Sequence, residues 1–378
     1  MRNQHVLITG GAGFIGSHLA DVMIERGFAV TVFDCLLPQV HGEIEKDGEG
    51  WPRYLNPRAR RIKGDVLDQR AFAAALTGVT HLVHLAASVG VGQSMTNIVD
   101  YTRNNTLAAA NVLEVLAKGG HGVQRMAVAS SMSIYGEGEY LTCGGKPAIA
   151  EMRPLERLQR GEWEVQQNGE TLTPIATRET KPLQPASIYA VNKRDHEEMF
   201  LSVGRAIGIP TVALRLFNAY GPRQALSNPY TGVAAIFASR LLNDRAPLVF
   251  EDGKQMRDFV HVRDVAEAFA TVMTSQSDVW DAFNVGSGTA VSVNTIAHTL
   301  ARLLRKNIAP HVLGKYRVGD IRHCYADIGK IAKTFGFRPR RDFDSGMEEL
   351  VGWVAAQSLP TDGAERSLGE LERSKMVV

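Results

Sequence analysis

In VLITGGAGFIGSHLADVMIERGFAVTVFDC, Val6 to Cys35, an apolar run, a glycine cluster, an amphipathic segment and a second apolar run follow one another and end at an aspartate. The first run reads as a buried strand, the segment after the glycines as a helix, and Ala29–Phe33 as a second strand. Glycines without a Cβ permit a tight turn and let backbone N–H groups close on a pyrophosphate at the positive end of the following helix. Gly10, Gly13, Phe14, Ile15 and Gly16 are therefore expected to hold a dinucleotide. Asp34 ends the second strand, where its carboxylate accepts hydrogen bonds from ribose hydroxyls and repels a 2′-phosphate. No Lys or Arg follows it directly, so NAD is expected rather than NADP.

The alternation continues outward. Arg61–Lys63, Thr80–Leu85 and Arg125–Ala129 read as strands, and Gly13–Arg26, Gln69–Leu76 and Thr96–Ala117 carry helix-period apolar faces. Such alternation predicts an α/β protein built on a Rossmann-type, doubly wound parallel sheet. A helical pattern from Ser187 to Ile207 and the strand-like Thr211–Phe217 follow, and then shorter units richer in Pro and Gly predict a smaller, mixed α/β second domain. Leu36–Arg60 and Glu137–Lys181 show no clear period; loops of that length tend to be functional or mobile. From Leu359 the chain is polar and charged and is expected to form a weakly ordered tail.

Composition narrows the class. The 378 residues are 44% hydrophobic and 22% charged, with 42 Lys+Arg against 40 Asp+Glu and a formal charge of +2. That describes a soluble globular protein with no field suited to nucleic acid or an anionic membrane. No run approaches the roughly 18 apolar residues of a membrane span. The 3 cysteines, Cys35, Cys143 and Cys324, are far apart and fit neither a disulfide framework nor a CxxC site, so a reducing, cytoplasmic setting is expected.

Chemistry enters with SIYAVNKRDHEEM. Tyr189 and Lys193 stand at i and i+4, which puts phenol and ammonium on one helix face. An ammonium near the phenol favours phenolate, so Tyr189 is a candidate base near neutral pH. Ser131, in SSMSIYG directly after the fifth strand, sits at the carboxyl edge of a parallel sheet and is placed to hydrogen-bond a substrate hydroxyl. Asn105, in the helix after the fourth strand, and Asp65, after the third, are further polar candidates for the cofactor. His81 and His84 form an HxxH inside an apparent strand, where i and i+3 face opposite sides, so no metal site is expected.

TGGAGFIGSHL, VHLAA, NNTLAAANVLE, SSMSIYG, YAVNK, RLFNAYGPRQ, RDFVHVRDVA, FNVGSG and VGDIRHCYAD, taken in order across residues 4–355, resemble the extended short-chain dehydrogenase/reductases, specifically the NAD-dependent nucleotide-sugar epimerase/dehydratase group. The resemblance implies an NAD-binding domain over residues 1–186, with 211–222 and 258–285 returning to it, and a nucleoside diphosphate sugar domain mainly over 187–355, followed by the charged tail 356–378. It also implies a homodimer through the helices Thr96–Ala117 and Ser187–Ile207. Ser131, Tyr189 and Lys193 match the catalytic set, and Val66, Leu85, Ala86 and Ala87 join the cofactor contacts. Asn218, Arg257 and Arg317 match diphosphate-facing groups, with Asp320 near the nucleoside ribose and with Ser133 and Glu251 on the substrate side.

Two departures carry information. The 4,6-dehydratases have an Asp-Glu pair after the position of Ser131; Met132 and Ser133 stand there, and neither can do the proton chemistry of elimination. The stretch Glu137–Lys181 is an insertion resembling that of dTDP-L-rhamnose 4-epimerases, although its single Cys143 rules out a cysteine-pair metal clip. It is expected to cover the sugar side of the cleft, together with Ser88–Gln93. The expected activity is C4 epimerisation of a nucleotide-linked, dTDP-type deoxysugar. Alternatives are a UDP-hexose epimerase, an NAD-dependent nucleotide-sugar oxidoreductase, or an NAD-sensing protein without chemistry.

Overall fold

Seven strands form one parallel sheet: β1 (His5–Thr9), β2 (Ala29–Asp34), β3 (Arg60–Lys63), β4 (His81–His84), β5 (Arg125–Ser131), β6 (Thr211–Leu216) and β7 (Trp280–Val285). Their spatial order is β7-β6-β5-β4-β1-β2-β3, so the chain reverses direction across the sheet between β1 and β4. Ligands of doubly wound sheets bind outside the carboxyl ends of the strands at such a reversal. The computed structural model describes residues 4–42, 44–226, 232–317, 319–357, 364–373 and 377.

Both sheet faces are covered, which is why the strands read as continuous apolar runs. Successive side chains alternate between faces. Ile8 and Val32 join one core with Leu19 and Met23 of α1 (Phe14–Glu25) and with Phe269 and Met273 of a later helix, Val262–Thr274. Leu7, Phe33 and Leu82 join the opposite core. There they meet Phe72 of α2 (Gln69–Ala75), Leu113 of α3 (Ala108–Ala117) and Phe200 of α4 (Ile188–Ala206). A third core, around Tyr220, Phe237, Phe259, Leu300 and Leu350, lies among the helices Val233–Leu242, Val293–Leu303 and Phe343–Ala355. The strands Asn218–Tyr220, Met256–His261 and Ala290–Ser292 complete that smaller unit, in mixed parallel and antiparallel pairing.

Three expectations are corrected. The helix expected over Thr96–Ala117 is interrupted: Ile98–Thr102 is followed by a π turn, Arg103–Leu107, before α3 begins. The tail is not without structure, since Ala364–Arg373 is helical and Val377 bridges to Arg317. Glu365 and Glu372 of that helix pair with Arg240 at 3.3 Å and Lys315 at 2.5 Å. The third concerns the aperiodic insertion, which holds an antiparallel sheet of Glu139–Leu141, Pro147–Ala148 and Thr173–Ile175 over a core of Tyr140, Ala150, Val165 and Leu172. Strands of two or three residues are too short to display a period, which is why the sequence reads as a loop.

His81 and His84 are buried separately, His84 against Thr9 Oγ1 at 2.9 Å and His81 against Thr80 Oγ1 at 2.8 Å. Among the described residues there is no cluster suited to a metal and no helix long and apolar enough to cross a membrane.

Candidate active site

A cleft of about 680 Å³ opens at the reversal between β1 and β4 and runs to the smaller unit. Its first wall is the glycine turn, where the glycines do different work. Gly10 has φ +66°, and a Cβ there would lie 2.8 Å from the Ala86 nitrogen; at Gly16 it would lie 2.4 Å from the Gly10 carbonyl. These two are required by packing within the protein. At Gly13 a Cβ would meet only the Gly10 carbonyl, at 3.3 Å, and otherwise enter open space. Gly13 is also the N-cap of α1 and brings no side-chain cap, so the first N–H groups of the helix remain available to an anion.

Asp34 closes this wall. Its carboxylate accepts from the Ala12 N–H at 3.0 Å and the Leu36 N–H at 2.9 Å, which fastens the glycine turn to the end of β2. Phe14, Ile15, Asp65, Val66, Leu85, Ala86 and Ala87 line the same part of the cleft. An uncapped helix N-terminus, open space at Gly13 and a carboxylate beyond them fit a dinucleotide with free ribose hydroxyls, which is NAD.

At mid-cleft Ser131, Ser133, Tyr189 and Lys193 come together. Ser131 ends β5 and its Oγ accepts from the Ser133 hydroxyl at 3.0 Å. Ser187 caps α4 by accepting from the Ala190 N–H, and the Tyr189 N–H donates to Ser94 Oγ, both at 3.1 Å. Helix α4 is thus fixed at the turn that carries the phenol. Lys193 Nζ donates to the Ala129 carbonyl at 3.0 Å. Burial pushes the Tyr189 phenol up to about 12, against the pull of a hydrogen bond from Ser131, and lowers the Lys193 ammonium to about 7. In the protein alone burial is the larger influence on the phenol and favours its neutral form.

The far wall holds Asn218, Arg257, Arg317 and Asp320. Arg257 donates to the carbonyls of Ile321 at 2.6 Å and Arg322 at 2.9 Å, and Arg317 lies 2.9 Å from the Asp320 carboxylate with its guanidinium over the Phe250 ring. Burial opposes ionisation of Asp320, yet Arg317, Arg257 and Arg153 hold its carboxyl below the usual carboxylate range. The buried Oδ1 of Asn218 has no partner among the described residues. Guanidinium donors suit a diphosphate, while the unpartnered Asn218 Oδ1 is an acceptor and suits a hydroxyl or N–H donor of a ligand. Tyr54, Arg223, Phe250 and Leu368 also line the cleft and were not foreseen. They lie in loops or the tail, and nothing in local spacing signals them.

Two candidate residues are placed elsewhere. Asn105 is buried, with both ends of its amide used on Ser88, accepting from the N–H at 2.7 Å and donating to the carbonyl at 3.1 Å. The π turn rotates it inward, so it holds the loop after β4 rather than lining the cleft. Glu251 is not on the substrate side: its carboxylate is buried between Arg153 at 2.8 Å and Arg322 at 2.9 Å. The insertion is also displaced from expectation. No residue of 137–181 lines the cleft; the segment packs on 322–327, with Gly138 N–H donating to the His323 carbonyl at 2.8 Å and Thr177 N–H to the Tyr325 carbonyl at 2.7 Å.

Known proteins agree with this architecture. The chain is 32% identical to a dTDP-L-rhamnose 4-epimerase of Burkholderia thailandensis over 357 residues, covering 94% of this chain and 96% of that protein. It superposes with TM-score 0.74 and 28% identity on a UDP-N-acetylglucosamine 4-epimerase from Methanobrevibacter ruminantium in complex with UDP-N-acetylmuramic acid, over 95% of this chain and 100% of that one. A Thermus thermophilus UDP-glucose 4-epimerase in complex with NAD gives TM-score 0.72 at 28% identity, over 93% and 99%. The profile of the NAD dependent epimerase/dehydratase family matches residues 6–158 and 164–286, and the chain belongs to that family.

Proposed function

We propose that the protein is an NAD-dependent C4 epimerase of a nucleotide-linked sugar. The observation that carries this reading is the convergence of Ser131, Tyr189 and Lys193 at the carboxyl edge of the sheet, beside Met132 and Ser133, which offer no carboxyl group for elimination. Residues 1–186, with 211–222 and 258–285, form the cofactor part, and most of 187–355 forms the substrate part.

Gly13, Asp34 and Lys193 would hold NAD, whose nicotinamide would supply reversible hydride transfer at C4 of the sugar. Tyr189 Oη takes the C4 hydroxyl proton as that carbon becomes a ketone, and Ser131 orients the oxygen by hydrogen bonding. Lys193 stabilises the phenolate form of Tyr189 during the transfer. After the sugar turns, Tyr189 returns the proton to the oxygen presented on the opposite face. The sum is inversion at C4, with no net redox change. Asn218, Arg257 and Arg317 anchor the diphosphate far from the reacting carbon, which leaves the sugar free to turn.

The substrate favoured is a dTDP-6-deoxyhexose, dTDP-L-rhamnose going to dTDP-6-deoxy-L-talose; it is supported by the 32% identical relative, whose similarity covers 94% of this chain. A UDP-hexose is the second reading, supported by the UDP-sugar epimerases that share the fold. We take the enzyme to act in the cytoplasm as a homodimer through α3 and α4, where Leu113, Ala117, Met199 and Val203 surround a shallow apolar cavity.

The test is to incubate the enzyme with dTDP-L-rhamnose carrying deuterium at C4, without added NAD. The expected result is a mixture of C4 epimers with the label still at C4 and no NADH released. Stoichiometric NADH would mean a dehydrogenase, and label at C6 a dehydratase. Epimerisation of UDP-glucose alone would keep the mechanism and replace the substrate.

A further inference from the structure

The insertion does not touch the cleft, but it grips the strand of chain that does. Among the described residues Arg322 is the largest side chain with no exposed surface, and three carboxylates surround it. Its guanidinium pairs with Asp252 at 2.7 and 3.0 Å, with Glu251 at 2.9 Å, and with Glu164 of the insertion at 2.5 Å. A second buried guanidinium, Arg153 of the insertion, donates to Glu251 at 2.8 Å, to the Asp320 carbonyl at 3.1 Å and to the Trp163 carbonyl at 3.0 Å. Glu137, where the insertion begins, accepts from the backbone N–H of Arg322 at 2.7 Å and of His323 at 3.2 Å. Glu164 also meets His323 Nε2 at 3.0 Å.

These contacts fix the backbone of residues 320–323 from one side. On its other side the same segment takes the hydrogen bonds of Arg257 and carries Asp320 into the cleft. Arginine side chains have many rotamers, and a planar fork recognises a diphosphate only when its plane and position are set. The carbonyls of Ile321 and Arg322 set them for Arg257.

We propose that Arg153 and Glu164 of the insertion are positioning residues for the nucleoside diphosphate end of the substrate, acting through Arg322 and the 320–323 backbone on Arg257 and Asp320. The role rests on the nucleotide-sugar reading above and deepens it: the insertion tunes grip on the nucleotide, not contact with the sugar. Substitution there changes substrate affinity and leaves the proton and hydride steps at Tyr189 intact.

The experiment compares wild type with Arg153→Lys, which keeps the charge and loses the fork, and with Glu164→Gln, which keeps the shape and loses the charge. Calorimetric binding of dTDP and UDP, steady-state kinetics, bound NAD and thermal unfolding are measured on each full-length protein. Expected is a rise of about tenfold in the nucleotide dissociation constant and in KM for Arg153→Lys, a smaller rise for Glu164→Gln, kcat within about threefold, and unchanged NAD content. Unchanged nucleotide affinity in both folded variants overturns the proposal, as does a fall in kcat at constant KM. Should Arg153→Lys not fold, Glu164→Gln decides, because Glu164 is half exposed at the edge of the cluster. A wild-type protein that binds neither diphosphate overturns the substrate reading itself, which separates that failure from failure of the brace.

Discussion

The two walls of the cleft are made differently. The cofactor wall is built around one segment, Val6–Cys35, and the geometry of its turn is backbone geometry: the Gly10 N–H donates to the Phe33 carbonyl at 2.9 Å, the Ala12 N–H to Asp34, and Gly13 opens the end of α1. The opposite wall, proposed for the nucleotide, comes from Asn218, Arg257, Arg317 and Asp320, and the backbone of residues 320–322 joins Asp320 and Arg257 to a side-chain network that reaches back to Arg153 and Glu164. Recognition by helix N–H groups arrives with the local fold. Recognition by arginines has to be enforced by neighbours, because each long side chain loses rotamer freedom when fixed.

The largest effect is expected between the walls. Tyr189→Phe should lower kcat about a hundredfold or more while NAD content and melting temperature stay near wild type, as read by turnover, cofactor absorbance and calorimetry. Near wild-type turnover would make Tyr189 structural and assign the proton transfer between the walls to another group.

The glycine wall can be split by two substitutions of equal size. Gly10→Ala puts a Cβ at φ +66° against the Ala86 backbone and should cost about 2 kcal/mol in urea unfolding. Gly13→Ala meets no such contact and should leave stability nearly unchanged while weakening NAD binding about tenfold. If both variants lose stability alike, the distinction between packing glycine and ligand glycine is wrong.

The nucleotide wall should respond to loss of the tail, because Leu368 lines the cleft and Val377 bridges to Arg317. Ending the chain after Gln357 should raise KM about fivefold, corresponding to about 1 kcal/mol, with NAD binding unaffected. An equal loss of NAD would show that the tail serves both walls.

The smallest effect concerns pH. Burial lowers Lys193 to about 7, below its ordinary lysine value, so the unfolded chain binds that proton more tightly. The resulting cost to stability is fully present below pH 7 and disappears as pH rises toward the ordinary lysine range. Relative to a Lys193→Met variant, cofactor-free wild type should therefore gain melting temperature from pH 7 to pH 10; a constant difference would mean that Lys193 does not change its proton affinity on folding.

What was legible in the sequence was whatever geometry follows from spacing along one element. Strand, glycine turn and helix place Gly13 and Asp34 without reference to the rest of the chain, and four residues on a helix bring Tyr189 and Lys193 to one face. The alternation of apolar runs likewise gave five of the seven central strands before Ser187, and Thr211–Phe217 marked another. Side-chain destinations were a different matter. Asn105 sits in a stretch that reads as regular helix, yet a π turn sends it to Ser88; Glu251 looks like a turn residue beside a site, yet two arginines from distant segments enclose it. The insertion shows no period because its strands are short, and its place against 320–327 depends on contacts far apart in the chain. Local hydrogen-bond geometry determined the glycine turn and the pairing of Tyr189 with Lys193; the wall of Asn218, Arg257, Arg317 and Asp320 was decided only by tertiary packing, since a buried charge takes its position from whichever partners can neutralise it.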